Sequence, residues 1–240
     1  MRLSALLCCI CLSLPATARE LVVGVENLDY QPIYYTQNGQ YQGFAHELLD
    51  AFAKASGHTL VYRPLPVRRL FSDFFTGAVD LKYPDNPMWS QDERTGKAVK
   101  YSDVTLVAVD GVMVKTDRPK GQALKRLVII RGFTPWVYQD AIKAGTISVQ
   151  EVNDLESALR SVLLGRADGA YGNVVVARDK LKQIGSPDAL VFDRELPYAN
   201  SDFMLSSIKA PEIIDEFNAF LKSQAATISK MKQASAVEAN

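Results

Sequence analysis

The stretch from Leu21 to Tyr83 contains LVVGV (21–25), a tyrosine-bearing turn, QGFAHELLDAFAKASG (42–57), HTLVYRPLP (58–66), VRRLFSDFFTG (67–77) and AVDLKY (78–83). The first, third and last pieces are short, β-branched and bounded by turn residues, so they are expected to be buried strands. The second sets Phe44, Leu48, Leu49 and Phe52 on one helical face, with Gly57 where a C-cap belongs. The fourth repeats the pattern with Val67, Leu70, Phe71 and Phe74, closed by Gly77. Strand, helix, strand, helix, strand at this spacing predicts an α/β fold with an open parallel sheet. Such sheets bind ligands beyond the carboxyl ends of their strands. The first of those ends carries Tyr30, Tyr34 and Tyr35.

The second half repeats this grammar. LVII (127–130) reads as a strand, and Thr134-Pro135 as an N-cap and first helical residue, with Gly145 closing that helix. TISVQEV (146–152) reads as the next strand. Asn153 with Glu156 fits a reciprocal cap before an apolar stripe of Leu155, Ala158, Leu159, Val162 and Leu163, ended by Gly165. The strand ADGAYG (167–172) and a helix from about Asn173 follow. FFTGAVDLKY (74–83) and VLLGRADGAYG (162–172) are each a helix end, a glycine, a short turn, an aspartate and a strand, which points to two similar α/β lobes. The extended runs YSDVTLVAVDGVMV (101–114) and LPYANSDFMLSS (196–207) suit two strands crossing between the lobes. The helix opened by Pro211, with Ile213, Ile214, Phe217, Phe220 and Leu221 on one face, would pack back on the first lobe. The expected division is 1–18 as a leader, 19–109 with 196–240 as the first lobe, and 110–195 as the second. Two crossings imply a hinge and a cleft.

Arg2, the apolar run Leu3–Leu14 and Ala16-Thr17-Ala18 form the three parts of a secretory signal, too short to span a bilayer. Cleavage after Ala18 would export the protein through the inner membrane to the periplasm. All three cysteines, Cys8, Cys9 and Cys11, lie in that leader. The mature chain would then carry no disulfide and depend on its core, which over 200 residues can supply. Without Arg2 the chain has 26 basic and 27 acidic side chains, from 27 of each in the whole sequence. No basic stripe suggests nucleic acid, and no second apolar run suggests a membrane span. Two histidines, His46 and His58, and no mature cysteine argue against a dedicated transition-metal site. No cofactor is implied.

LVVGVENLDYQPIYY, NGQYQGFAHELLDAFAKASG, the TGAVD joint, DERTGKAVKYSD and LLGRADGAYGN, in this order and spacing, resemble the family-3 periplasmic solute-binding proteins. That group includes polar amino-acid receptors of ABC importers, and the resemblance covers nearly the whole mature chain. It implies two α/β lobes joined by two hinge strands, with a small ligand bound between them by closure. Amino-acid binders of the family clamp the ligand carboxylate with an arginine, and the matching position is Arg94. A planar guanidinium makes two parallel bonds to a carboxylate; the alternative is a solvated arginine in a charged turn. Ser90 with Glu93 fits a capping box that would hold it. The loop before Arg94 departs from the family, reading LKYPDNPMWSQ, and brings Asp85, Asn86 and Trp89 to the same strand end. Where the family pairs the ligand ammonium with an aspartate, this chain has Asn173, which hydrogen-bonds without charge and equally serves as an N-cap. Asp85 is a possible replacement acid.

Tyr30, Tyr34, Trp89 and Trp136 are candidates to stack on a ligand, each equally an ordinary packing residue at a lobe edge. Thr134 opens a helix at a strand end, where free N–H groups favour an anion, or is a plain cap. Arg69 lies opposite the apolar face of its helix, which favours solvent, yet in the first turn on the cleft side. The set predicts a ligand with a carboxylate and a neutral or weakly polar second end. The expected role is binding such a metabolite in the cleft, as a monomer, and passing it to an ABC permease or a membrane-bound sensor. The alternative is an enzyme of the same fold, dehydratase-like, acting on a small cyclic carboxylic acid with Glu26 or Asp85 as acid or base.

Overall fold

The computed structural model describes residues 18–238; the leader through Thr17 lies outside them. The chain forms β1 (Glu20–Glu26), β2 (Asp29–Tyr30), β3 (Tyr34–Gln37), β4 (Gln40–Gln42), α1 (Phe44–Ser56), β5 (Thr59–Leu65), α2 (Val67–Phe75), β6 (Leu81–Asp85) and α3 (Gln91–Arg94). It continues through β7 (Lys100–Tyr101), β8 (Leu106–Lys115), β9 (Arg126–Ile130), a 3₁₀ turn (Trp136–Tyr138), α4 (Gln139–Lys143), β10 (Ser148–Val152) and α5 (Leu155–Leu163). It ends with β11 (Gly169–Asn173), α6 (Val174–Gln183), β12 (Leu190–Phe192), β13 (Ala199–Ser207), α7 (Pro211–Ser223) and α8 (Ala225–Ala234).

The strands order as β10-β9-β11-β8-β13-β6-β1-β5, with β12 on β8 and β7 on β13. β1 runs parallel to both β5 and β6, and β9 runs parallel to both β10 and β11. These are the two parallel cores of a two-lobed, mixed α/β fold, each reached by short strand–helix–strand steps. They are joined through β8 and β13, which pair antiparallel over Leu106–Asp110 and Ala199–Phe203. Past that segment the two strands part. β8 continues along β11 and β12, while β13 continues along β6 and β7. Asp110 stands at the handover, opposite Ala199 on one side and Asn173 on the other.

The helices form for the reasons the apolar spacing gives. In α1, Phe44, Leu48, Leu49 and Phe52 are buried, and Gly57 takes the left-handed conformation (φ 79°) with its N–H on the Ala53 carbonyl. Each such side chain contributes about 2 kcal/mol on burial. α1 packs against α7 and α8, and α7 lies on β13 and β7. In the other half, α5 covers β9 and β11, and α6 packs on α5 and β8.

Three expected caps differ. Ser90 sits at φ 47° and its side chain caps nothing; the α3 turn is held by its backbone, Glu93 N–H to the Ser90 carbonyl. Thr134 does not cap its turn: Pro135 occupies that position, and Thr134 Oγ1 accepts the Ser90 N–H instead, at 3.3 Å. Before α5 the cap is Asp154, not Asn153, and its carboxylate accepts from Ser157 N–H at 2.7 Å. An ionised carboxylate at a helix start gains from the helix dipole as well as the bond.

Candidate functional site

The carboxyl ends of the parallel strands face each other across the crossing strands, and a small cavity of about 30 Å³ lies between them. Glu26 is the last residue of β1; Tyr30 and Tyr34 follow on the β2–β3 hairpin. Val67 and Phe71 come from α2, and Trp89 from the loop after β6. Gly132, Phe133 and Thr134 come from the loop after β9, Tyr171 from β11, and Asp110 and Phe203 from β8 and β13. A water needs roughly 10–15 Å³ of such space, so in this arrangement the lobes are shut on each other.

The closure is built from specific contacts. Tyr30 stacks on Tyr34 with centroids 5.2 Å apart and meets Phe133 edge-on at 5.7 Å. The Tyr30 hydroxyl accepts the Asn173 N–H at 2.9 Å. Gly132 (φ 91°) lies so close to α2 that a Cβ there would stand 3.0 Å from Arg68 Cγ and 3.1 Å from its backbone nitrogen. On the rim, Arg68 pairs with Glu151 at 2.5 Å and Lys180 with Asp29 at 2.6 Å.

The charged residues of the lining are of one sign. Glu26 and Asp110 are buried acids in the lining, and the lining holds no lysine, arginine or histidine. Burial pushes the Glu26 carboxyl up, against Lys82 and the Tyr34 hydroxyl that donates to it. Burial pushes Asp110 up to about 6. Tyr171 lines the cavity with a hydroxyl that has no partner, and Asn173 Nδ2 and Ser201 Oγ are likewise buried and unpartnered.

The structure divides the sequence-derived residues into two groups. Tyr30, Tyr34, Trp89 and Thr134 meet at the cavity. Asn173 borders it as the N-cap of α6, its Oδ1 accepting from Val175 and Val176 N–H. The others lie elsewhere. Arg94 is sequestered: Nε donates to the Trp89 carbonyl, Nη1 to Tyr101 and Asp85, and Nη2 to Asp85 and the Asn86 carbonyl. All five donors are used. Asp85, 0% exposed, accepts from Arg94, Lys82 and Ser206, and so has no free oxygen for a ligand ammonium. Asn86 ties its loop, donating to the Asp202 carbonyl and accepting from Met88 N–H. Arg69 pairs with Asp73 one turn on, its side chain 68% exposed. Trp136 packs outside the cavity with its Nε1 unpartnered. The cavity residues not singled out from sequence are Asp110, Gly132, Phe133, Tyr171, Phe203 and the α2 pair. The available signal was an aspartate inside the apolar run of a crossing strand.

Among the described residues no cluster of three His, Cys, Asp or Glu could hold a metal, and no helix is long and apolar enough to cross a membrane.

Two parallel-sheet lobes hinged by two strands over a buried cavity define the architecture of a solute-binding protein. The chain belongs to the bacterial extracellular solute-binding proteins, family 3, whose model matches residues 21–235. Solved structures with the same fold include the arginine-, lysine-, histidine-binding protein ArtJ from Geobacillus stearothermophilus (TM-score 0.72, 21% identity, covering 90% of this chain and 94% of that one). A histidine kinase sensor domain with similarity to periplasmic binding proteins superposes with TM-score 0.73 at 19% identity over 91% and 96% of the two chains. The ancestral amino acid-binding protein AncCDT-1, a precursor of cyclohexadienyl dehydratase, gives TM-score 0.68 at 22% identity over 90% and 95%. No curated protein sequence matches the chain.

Proposed function

We propose that this protein is a periplasmic receptor that closes its two lobes on one small polar metabolite and hands it to an ABC permease or reports it to a membrane sensor. The observation that carries the reading is the cavity at the strand ends, lined by residues of both lobes and set beside the crossing strands β8 and β13. The lobes divide at 19–109 with 196–240 and at 110–195, a boundary supported by the handover at Asp110 and by α7 packing on β7 and β13. Family membership supports the solute-binding role; the likeness to a kinase sensor domain keeps sensing beside transport.

The enzyme alternative rests on Glu26, a buried carboxyl with a raised pKa facing the cavity. It is the weaker reading, because the lining offers no base to hold a substrate carboxylate. A thermal-shift screen of a metabolite library tests the binding reading. A true ligand at about 100 times its Kd stabilises by about 2.7 kcal/mol. Silence across a broad library removes the reading, and net loss of water from a cyclic acid incubated with the protein replaces it with the enzyme.

A further inference from the structure

We propose that the cavity takes a compact organic cation, a primary or methylated ammonium, held between the carboxylates of Glu26 and Asp110 against aromatic faces, and that it holds no ligand carboxylate. This deepens the solute-binding reading and rests on it.

The first ground is charge. The lining carries two acids and no base. The two cations nearest the cavity wall are already committed. Lys82, 0% exposed, donates to the Pro84 carbonyl and Asp85 and lies 4.3 Å from the centre of the Phe71 ring. Arg94 spends all five donors inside its own lobe. A carboxylate entering the cavity would be stripped of water and face two like charges, with no basic side chain in the lining to pair with. A cation meets two counter-ions, and it offsets the burial that lifts both carboxyls.

The second ground is the wall. Tyr30, Tyr34, Trp89 and Phe133 bring aromatic rings from both lobes to one space. Ring faces attract cations through their quadrupole, most strongly where water is excluded.

The third ground is an unpartnered hydroxyl in the lining. Tyr171, 2% exposed, has a hydroxyl with no partner. Buried polar atoms without partners are few in folded proteins, and this hydroxyl can accept from an ammonium N–H. The closed volume of about 30 Å³ restricts the bound head to a few atoms.

Calorimetry at mildly alkaline pH with ethanolamine, putrescine and tetramethylammonium, set against acetate, succinate and glycine, tests the proposal. At least one cation binds and the anions do not. Glu26→Gln and Asp110→Asn each weaken that binding by about tenfold or more, while Arg69→Ala leaves it unchanged. Should either variant fail to fold, the wild-type ranking of cations against anions decides. A carboxylate or zwitterion binding more tightly than every cation overturns the inference, as does cation binding indifferent to both folded variants. If all six probes are silent the inference also falls. The metabolite screen then separates the two claims: a carboxylate hit preserves the solute-binding reading, and silence removes both.

Discussion

The guanidinium of Arg94 has five N–H donors, and five acceptors of its own lobe surround it. Its side chain is 9% exposed against a fully buried Asp85. Removing one partner of a buried pair leaves the other charge uncompensated, at a cost of about 3–5 kcal/mol. Arg94→Ala is therefore expected to lower Tm by on the order of 10 °C, while the Kd of the folded fraction for its ligand changes little. A large loss of affinity at unchanged Tm would return Arg94 to the binding site. Asp110 shows the opposite economy. Its carboxyl is raised from 3.8 to about 6 by burial, so the native state holds a proton that the unfolded chain releases. Stability consequently falls as pH rises from about 4 to about 6, by about 3 kcal/mol in all. Glu26, which faces Asp110 as well as Lys82 and Asp85, is raised too and adds a slope of the same sign. Asp110→Asn should make the protein more stable at neutral pH by up to about 3 kcal/mol and flatten that part of the profile. Denaturant titrations across this range check it, and parallel profiles for the two proteins would refute it.

Elements take their ends from side-chain chemistry as much as from pattern. Asn173 is the last residue of β11 and the cap of α6, its Oδ1 bound to two backbone N–H groups. That oxygen is spent on the helix, which leaves only the unpartnered Nδ2 toward its surroundings. Asn173→Ala should cost about 1 kcal/mol of stability, and Asn173→Asp should retain most of the cap. Equal destabilisation by both variants, read from chemical melts, would show that the cap is not what Asn173 contributes. The other helix starts follow the same rule. Asp154 outcompetes Asn153 because its carboxylate reaches Ser157 N–H at 2.7 Å. Ser90, at φ 47°, makes no side-chain bond to an orphan N–H of α3.

The whole molecule is two lobes in contact over a small cavity, latched by Arg68–Glu151 and Lys180–Asp29. Partly exposed pairs of this kind contribute at most about 1 kcal/mol each. That range suits a latch, since a stronger one would hold the cleft shut against its ligand. Glu151→Gln combined with Lys180→Met should shift the open population by several-fold and speed ligand release. Small-angle scattering should show a larger radius of gyration for the double variant in the absence of added ligand. An unchanged radius together with an unchanged release rate would mean that the Tyr30–Asn173 and Gly132–Arg68 contacts alone set closure.

Periodicity and turn chemistry in the sequence determined the elements: the faces of α1, α2, α5 and α7, the glycine stops at Gly57 and Gly165, the crossing strands and the two-lobed plan. The faces and stops are local properties, read from spacings of two to four residues; the two-lobed plan was read from the joint repeated at 74–83 and 162–172. Part of the cavity was legible too, because Tyr30, Tyr34, Trp89 and Thr134 sit at strand ends where such folds bind. The sign of the site was decided only by the tertiary structure. Arg94 and Asp85 are nine residues apart and read separately as a clamp and a spare acid; in space they pair with each other, and Lys82 and Ser206 donate to the same carboxylate. Asp110 reads as an acid in a strand and becomes a cavity wall only because β8 leaves β13 for β11 at that residue. A charge acts on whatever lies within a few ångströms, and those neighbours are set by how distant segments pack, which no local spacing encodes.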